Sequence, residues 1–297
     1  MKVAVTGASG RMGRLVAARL LDRLSASDVI LISRTPSQLD DFARRGAVVR
    51  AGDFEAPETL PAAFKGVETL LLIGTHGRMD RVAMHKGAID AAKAAGVRHV
   101  SYVSFSNPAP ENPFFASETN RRIEADLRDS GMTWTMLRDS IYSDLRIDAA
   151  FYYIADGKWP TNMGAAGRHA FVWRDDCAAA ATASLLDARH ANKNYEITGP
   201  ALVSGEEYLA LLNEFGGRKV TMEAISDADH PAYLESFVKR HNRPDWMPEL
   251  HTSTGIAIRE GHMSMLTSAV QDMTGQAPRT LRALFEVNRD SLRRAAG

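Results

Sequence analysis

The chain has 297 residues, 45% hydrophobic and 24% charged, which suits one large globular domain or a nucleotide-binding domain with a smaller lobe. Its 36 Lys+Arg balance 36 Asp+Glu, so nothing in the charge calls for a nucleic acid or an anionic membrane as partner. No apolar stretch is long enough to cross a bilayer, and Gly7 breaks the opening apolar run before it could serve as a signal sequence, so the expectation is a cytoplasmic protein.

Strands and helices alternate from the start. "KVAVTG" reads as a strand and "RMGRLVAARLLDRL" as a helix; "VILISR" as a strand and "PSQLDDFARRG" as a helix. "AVVRAGD" is a strand before the short helix "APETLPAAFKG". "VETLLLIG" is a strong strand before the long helix "MDRVAMHKGAIDAAKAAG", with Gly96 as its C-terminal stop. "VRHVSYVSFS" and "MTWTMLRDS" are strands on either side of the helix "ETNRRIEADLRDSG". Such alternation implies parallel pairing through right-handed crossovers, and near-continuous apolar strands suit a sheet covered on both faces.

Past Tyr142 the rhythm loosens. "FYYIADGKWPTNMGAAG" reads as loop-rich and aromatic, and "RHAFVWRDDCAAAATASLLD" as a strand and a helix. The single cysteine, Cys177, lies in that alanine-rich helix and reads as a small core residue with no partners for a disulfide or a metal site. "KNYEITGP" and "KVTMEAIS" are strands around the helix "SGEEYLALLNEFG". "HPAYLESFVKRHN", "TSTGIAIREGHMSMLTSAVQDMTG" and "APRTLRALFEVNRDSL" read as helices, the last with Pro278 near its start. The expected fold class is α/β: a doubly wound parallel Rossmann sheet with a smaller C-terminal α+β lobe. Residues 1–150 are expected to form the sheet domain, 168–200 to return to it, and 151–297 to form the smaller lobe.

In "VTGASGRMGRL", Gly7, Gly10 and Gly13 follow a strand and open a helix. Gly7 permits the tight turn, Gly10 lets backbone approach a pyrophosphate, and Gly13 lets the helix pack close to the sheet. With Ser9, Arg11 and Met12 they make a candidate phosphate cradle at a helix N-terminus. The second strand ends in Ser33 and Arg34, where an NAD site usually has Asp or Glu. A carboxylate would bind the ribose 2′-hydroxyl and repel a 2′-phosphate, whereas arginine reverses that choice, so the expected cofactor is NADP(H). Asp53 and Phe54 in "AGDF" are candidates for the adenine, or else a turn aspartate and a core phenylalanine. Gly74 and Thr75 close the fourth strand beside the cofactor, and His76 is a candidate for ribose or substrate.

Together, "TGASGRMG", the "SR" after the second strand, "AGDF", "VRHVSYVSFSN" and "WTMLRDSIYSD" resemble the NmrA-like atypical short-chain dehydrogenase/reductases. The tail "DMTGQAPRTLRALF" resembles the branch of NAD(P)H:quinone oxidoreductase type 2 and triphenylmethane reductase. The resemblance implies a Rossmann domain with a small C-terminal lobe, and NADPH reducing quinones or dyes. Ordinary members of the superfamily protonate a carbonyl with a Tyr-x-x-x-Lys pair. None of the 7 tyrosines here has a lysine four residues on; Tyr142, for example, has Arg146. Related isoflavone and lignan reductases place a lysine where this chain has Asn120, which can donate a hydrogen bond but not a proton at neutral pH.

By position, Ser104, Phe105, Ser140 and Ile141 surround the nicotinamide, with Ser106 and Tyr142 toward the substrate. Tyr142 and Asn120 are the catalytic candidates, Tyr142 as donor or else as a packing residue. Asp176 is expected to cap a helix. Tyr152, with Phe151, Tyr153, Trp159, Trp173 and Trp246, is a candidate wall for an aromatic substrate. The expected function is NADPH-dependent hydride transfer to a small aromatic or quinone-like acceptor, with no metal and with a homodimer as a compatible assembly. The alternative is a non-catalytic NADP(H) sensor of NmrA type, and a nucleotide-sugar epimerase or dehydratase ranks last.

Overall fold

Every short apolar run before residue 140 becomes a strand of one sheet. The computed structural model describes residues 1–74 and 80–295. In chain order it forms β1 (Val3–Val5), α1 (Arg11–Leu21), β2 (Val29–Ser33), α2 (Asp40–Arg44), β3 (Val48–Ala51), α3 (Leu60–Phe64), β4 (Thr69–Ile73) and α4 (Arg81–Ala94). β5 (His99–Phe105), α5 (Ser117–Asp129), β6 (Thr133–Asp139) and α6 (Ser143–Asp156) follow. Then come β7 (Lys158–Thr161), β8 (Arg168–His169), α7 (Arg174–Leu186), β9 (Lys193–Ile197), β10 (Val203–Ser204), α8 (Gly205–Phe215) and β11 (Thr221–Ala224). The chain closes with α9 (His230–His241), α10 (Met247–Arg259), α11 (Ala269–Thr274), α12 (Leu281–Val287) and α13 (Arg289–Arg294).

The strand order is β3-β2-β1-β4-β5-β6-β9, and every pair is parallel. Direction along the sheet reverses between β1 and β4, and a crevice at the carboxyl ends opens there. The helices α1, α7 and α11 cover one face, and α3, α4 and α5 cover the other. The apolar strands are buried on both sides for this reason; β1 and β2 are buried throughout. This is a doubly wound Rossmann sheet. A third core, built around Ile147, Ile154, Trp159, Phe171, Tyr208 and Phe285, belongs to the smaller lobe. That lobe pairs β7 with β11 and β8 with β10. Among the described residues no helix is long and apolar enough to cross a membrane.

Several elements differ from the sequence expectation; the closing stretch read as one helix, for example, is two, α12 and α13, with Asn288 between them. The stretch expected as loop is mostly α6, which runs unbroken through residue 150 and stops at Gly157. Ile147, Ala150 and Ile154 recur at helical spacing and bury one face in the lobe, which overrides the modest helix propensity of the Phe-Tyr-Tyr-Ile run. The long helix expected over "TSTGIAIREGHMSMLTSAVQDMTG" is two, α10 and α11, interrupted at Gly261. Asp176 does not cap α7, whose N-cap residue is Trp173. Its carboxylate instead accepts from the Arg279 backbone N–H at 2.9 Å and from Nη2 at 2.6 Å, tethering the tail to the sheet domain.

One buried ion cluster fixes β5 and β6 against α5. Glu124 is 1% exposed, and it accepts from Arg138 Nη2 at 2.7 Å, Arg128 Nη2 at 2.8 Å and Ser104 Oγ at 2.7 Å. Burial pushes its carboxyl upward, but Arg138, then Ser104 and Arg128, outweigh that and hold it below the usual carboxylate range. Removing one partner of such a cluster strands the other charges. Glu124→Ala should cost about 3 kcal/mol in urea unfolding, the low end for a buried pair, because Arg138 keeps Glu196 at 3.1 Å. A loss under about 1 kcal/mol, as for exposed pairs, would show the cluster to be solvated.

Candidate active site

The turn after β1 is tied to its neighbours by backbone. The Ala8 N–H donates to Ile32 O at 3.1 Å and the Gly10 N–H to Gly7 O at 3.0 Å, while Ser9 Oγ lies 3.0 Å from Ser33 Oγ. Gly7 has φ +58°, a region open to glycine at little cost. A Cβ on Gly13 would stand 2.4 Å from Gly7 O and 2.6 Å from Ala8 Cα, so only glycine lets α1 start this close to the strand. Gly10 is the N-cap residue of α1, and neither a side-chain cap nor an acidic residue occupies the first turn. The result is an uncapped helix start with backbone N–H groups available to an anion, which fits a dinucleotide pyrophosphate.

Arg34 stands at the end of β2, 57% exposed, with Glu55 its nearest carboxylate at 3.9 Å. That separation leaves its fork open to a 2′-phosphate. Arg11 points elsewhere: it pairs with Asp148 at 2.8 Å and Asp144 at 3.2 Å, joining α1 to α6. Met12 packs in the core beneath the turn. Asp53 Oδ1 accepts from the Glu55 N–H at 3.0 Å inside its own turn. Phe54 is buried, edge-on to His85 at 5.5 Å. Gly74 ends β4 close to the same histidine: a Cβ there would meet His85 Nε2 at 2.6 Å. Thr75 and His76 lie outside the described residues.

The carboxyl ends of β5 and β6 carry the remaining candidates. Ser104 faces α5 and donates to Glu124, and Phe105 stacks on Phe114 at 4.2 Å. Ser106 Oγ donates to Glu196 Oε2 at 2.8 Å. Asn120 is buried, with Nδ2 donating to Ala116 O at 2.9 Å and Oδ1 accepting from the Tyr102 hydroxyl at 2.8 Å. It therefore holds α5 on β5 and does not present a donor to the crevice. Ser140 and Ile141 meet His169, whose Nε2 accepts from the Ile141 N–H at 3.2 Å. The proton must then sit on Nδ1, facing Met263 O at 3.2 Å. Burial, then the charge of Arg146, pushes this imidazole down to about 3, so it stays neutral and couples the sheet edge to the lobe.

Tyr142 is half-buried at the start of α6. Its hydroxyl donates to Asp139 Oδ2 at 2.7 Å, and the Arg174 guanidinium lies over its ring at 4.1 Å. Arg174 is itself held by Asp144, with Nη2 to Oδ2 at 2.8 Å. Asp139 is 3% exposed and its Oδ1 makes no hydrogen bond among the described residues. Burial pushes its carboxyl up to about 7, against the lowering effect of Tyr142, Cys177 and Arg174. Burial, followed by the Asp139 charge, also raises the tyrosine, so the phenol stays protonated. Burial likewise pushes the Cys177 thiol well up, which leaves no thiolate for nucleophilic chemistry.

Tyr152 is ten residues further along α6, about 15 Å at 1.5 Å per residue. It accepts from Arg243 Nη2 at 2.5 Å and packs on Phe237 and His241. Its neighbours belong to the lobe, not to the strand ends. Trp159 is fully buried in the lobe core, and Trp173 Nε1 donates to Thr280 O at 2.8 Å. Sequence reasoning passed over Asp139, Arg174 and His169. The available signal was a carboxylate ending an otherwise buried strand, in "TMLRD".

The chain matches the NAD(P)H-binding family over residues 7–188. It is 31% identical over 292 residues to quinone oxidoreductase 2 of Escherichia coli (strain K12), covering 96% of this chain and 99% of the relative. The crystal structure of the Escherichia coli NADPH-dependent quinone oxidoreductase complexed with NADPH superimposes with a TM-score of 0.89 at 29% identity, over 96% of this chain and 99% of that one. Citrobacter sp. triphenylmethane reductase complexed with NADP(H) gives 0.86 at 27% identity, over 97% and 99% of the two chains. The chain therefore belongs to the NAD(P)H-binding NmrA-like reductases, in the branch of quinone oxidoreductase 2 and triphenylmethane reductase, and is an NADP(H)-binding, NAD(P)H-dependent oxidoreductase.

Proposed function

We infer that the chain reduces small quinone-like or aromatic acceptors with NADPH. The observation that carries this reading is the Tyr142–Asp139 pair at the carboxyl end of β6, where this fold holds the reactive half of a dinucleotide. Likeness over nearly the whole length to a quinone oxidoreductase and a triphenylmethane reductase supports the acceptor class. NADPH supplies the hydride when bound. The helix start at Gly10–Gly13 would hold its pyrophosphate, and Arg34 its 2′-phosphate.

Protein groups then handle one proton. Tyr142 donates inward to Asp139 while that carboxyl is ionised. Protonation of Asp139 turns the bond around: the acid donates to the phenol oxygen, and Tyr142 is free to donate to the reduced acceptor. No tyrosinate forms, which suits a phenol whose pKa lies well above its ordinary value. An acceptor with strong electron demand asks for no more than positioning and this relay.

NADPH oxidation against a panel of quinones, triphenylmethane dyes, enones and imines tests the reading. Turnover should be fastest with quinones and dyes; tight NADPH binding without turnover across the panel would instead favour a sensor. Arg34→Asp should weaken NADPH binding by roughly 10- to 100-fold, the equivalent of one charge-assisted hydrogen bond, while changing NADH little. Cofactor fluorescence reads both constants, and equal losses for the two would remove Arg34 from the specificity argument.

A further inference from the structure

Arg146 is one turn into α6 from Tyr142 and only 8% exposed. Among the described residues its guanidinium makes no ion pair and no hydrogen bond, and its Nε is fully enclosed. The ring of Phe171 lies beneath it at 5.2 Å. The Tyr208 hydroxyl donates to the Arg146 carbonyl at 2.9 Å, which anchors that turn of α6 rather than the charge. Two other enclosed arginines are by contrast paired with carboxylates: Arg174 with Asp144, and Arg138 with Glu124 and Glu196.

A guanidinium cannot shed its proton at any working pH. Enclosing one without a counter-charge costs several kcal/mol. The basic groups around it offer no relief. His169 and His251 are both pushed down to about 3, by burial first and by Arg146 second. His230, which faces His251, is pushed down to about 4 by burial. All three imidazoles are neutral near pH 7, so the guanidinium is the local charge and it is positive. Through His169 it also adjoins the Ser140–Ile141 edge where the acceptor should lie.

We propose that Arg146 is the anchor of an oxyanion subsite, and that the preferred acceptor is an aromatic or quinone-like compound carrying a sulfonate, carboxylate or phosphate. The planar fork matches such a group in two parallel bonds, and Phe171 holds the plane in place before the ligand arrives. The substituent would settle on Arg146 in the lobe, which orients the reducible ring back toward β6. The proposal rests on the reductase reading in taking the ligand to be the acceptor.

The test uses binding first and turnover second. The full chain, saturated with NADP+, is titrated calorimetrically with 2-naphthalenesulfonate and with neutral 2-naphthalenesulfonamide. The sulfonate should bind at least about tenfold tighter, as one charge-assisted bond requires. In Arg146→Met the ratio should fall to near one, with Arg146→Lys between the two. Equal affinities in the unmodified chain overturn the proposal, even if Arg146→Met does not fold. A sulfonate preference that survives in a folded Arg146→Met overturns it too. In turnover, 1,4-naphthoquinone-2-sulfonate should show a lower KM than 1,4-naphthoquinone. Reduction of both quinones without charge preference in binding or KM sinks the subsite alone. A binding preference with no reduction of either quinone upholds the subsite and sinks the reductase reading.

Discussion

Gly13→Val is expected to abolish NADPH binding, with at least a hundredfold loss. Already the first side-chain atom would stand 2.4 Å from Gly7 O and 2.6 Å from Ala8 Cα. Both obstacles are backbone, so no rotamer change relieves them. Gly7 O also accepts the Gly10 N–H at 3.0 Å, so moving it opens the turn that forms the cradle. The alternative is for α1 to recede, which uncovers Met12, Val16 and Leu20 from the sheet. Overpacking of this kind costs roughly 1–3 kcal/mol or more, so the melting temperature should fall together with affinity. Gly10→Ala separates the two effects. Its Cβ would meet Gly7 O at 3.3 Å, a contact that a small shift relieves, yet it would stand where the pyrophosphate approaches. That variant should lose NADPH affinity with little loss of stability. NADPH fluorescence and thermal melts read both quantities, and a Gly13→Val protein that binds NADPH normally would show that the cradle is not the cofactor site.

Tyr142→Phe should lower kcat about a hundredfold, the smaller end of what a positioned acid contributes, with NADPH affinity retained. Asp139→Asn should act on the pH profile. With the carboxyl at about 7, relay through Tyr142 operates below that pH and fails above it, so kcat should decline as pH rises through 7. An asparagine amide donates at every pH, so the variant should lose the inflection. A wild-type profile flat from pH 6 to 8 would exclude the relay.

The same group makes a stability prediction of known sign. The folded pKa lies above the unfolded value of about 3.9. The folded state therefore holds its proton longer, and stability is lost as pH rises from about 4 through about 7. At about 1.4 kcal/mol per unit, Asp139 costs the fold up to about 4 kcal/mol above pH 7. Asp139→Asn should accordingly melt higher than wild type at pH 8, with the gap closing toward pH 5. Equal melting temperatures at pH 8 would show that the carboxyl ionises there without cost.

The sequence by itself determined the sheet and the choice of cofactor, and it singled out the glycine turn proposed as the cradle. Those properties are local: apolar runs of strand length, three glycines whose roles follow from where a Cβ would go, and Arg34 placed by counting along one βα unit. Glycine at 13 is legible because the clash is with residues 7 and 8. Only the tertiary structure decided what the polar groups do. Arg11 looked like a phosphate ligand and instead reaches Asp144 and Asp148, more than 130 residues away. Asn120 looked catalytic and is spent on the Tyr102 hydroxyl. Asp139 and Arg146 read as ordinary charges on a strand end and a helix. What sets them apart is desolvation: burial moves the proton of one and leaves the other without a counter-ion among the described residues. Burial is a sum over everything packed around a group, drawn here from α6, α7, α10 and the loops between them. No window of sequence contains that sum.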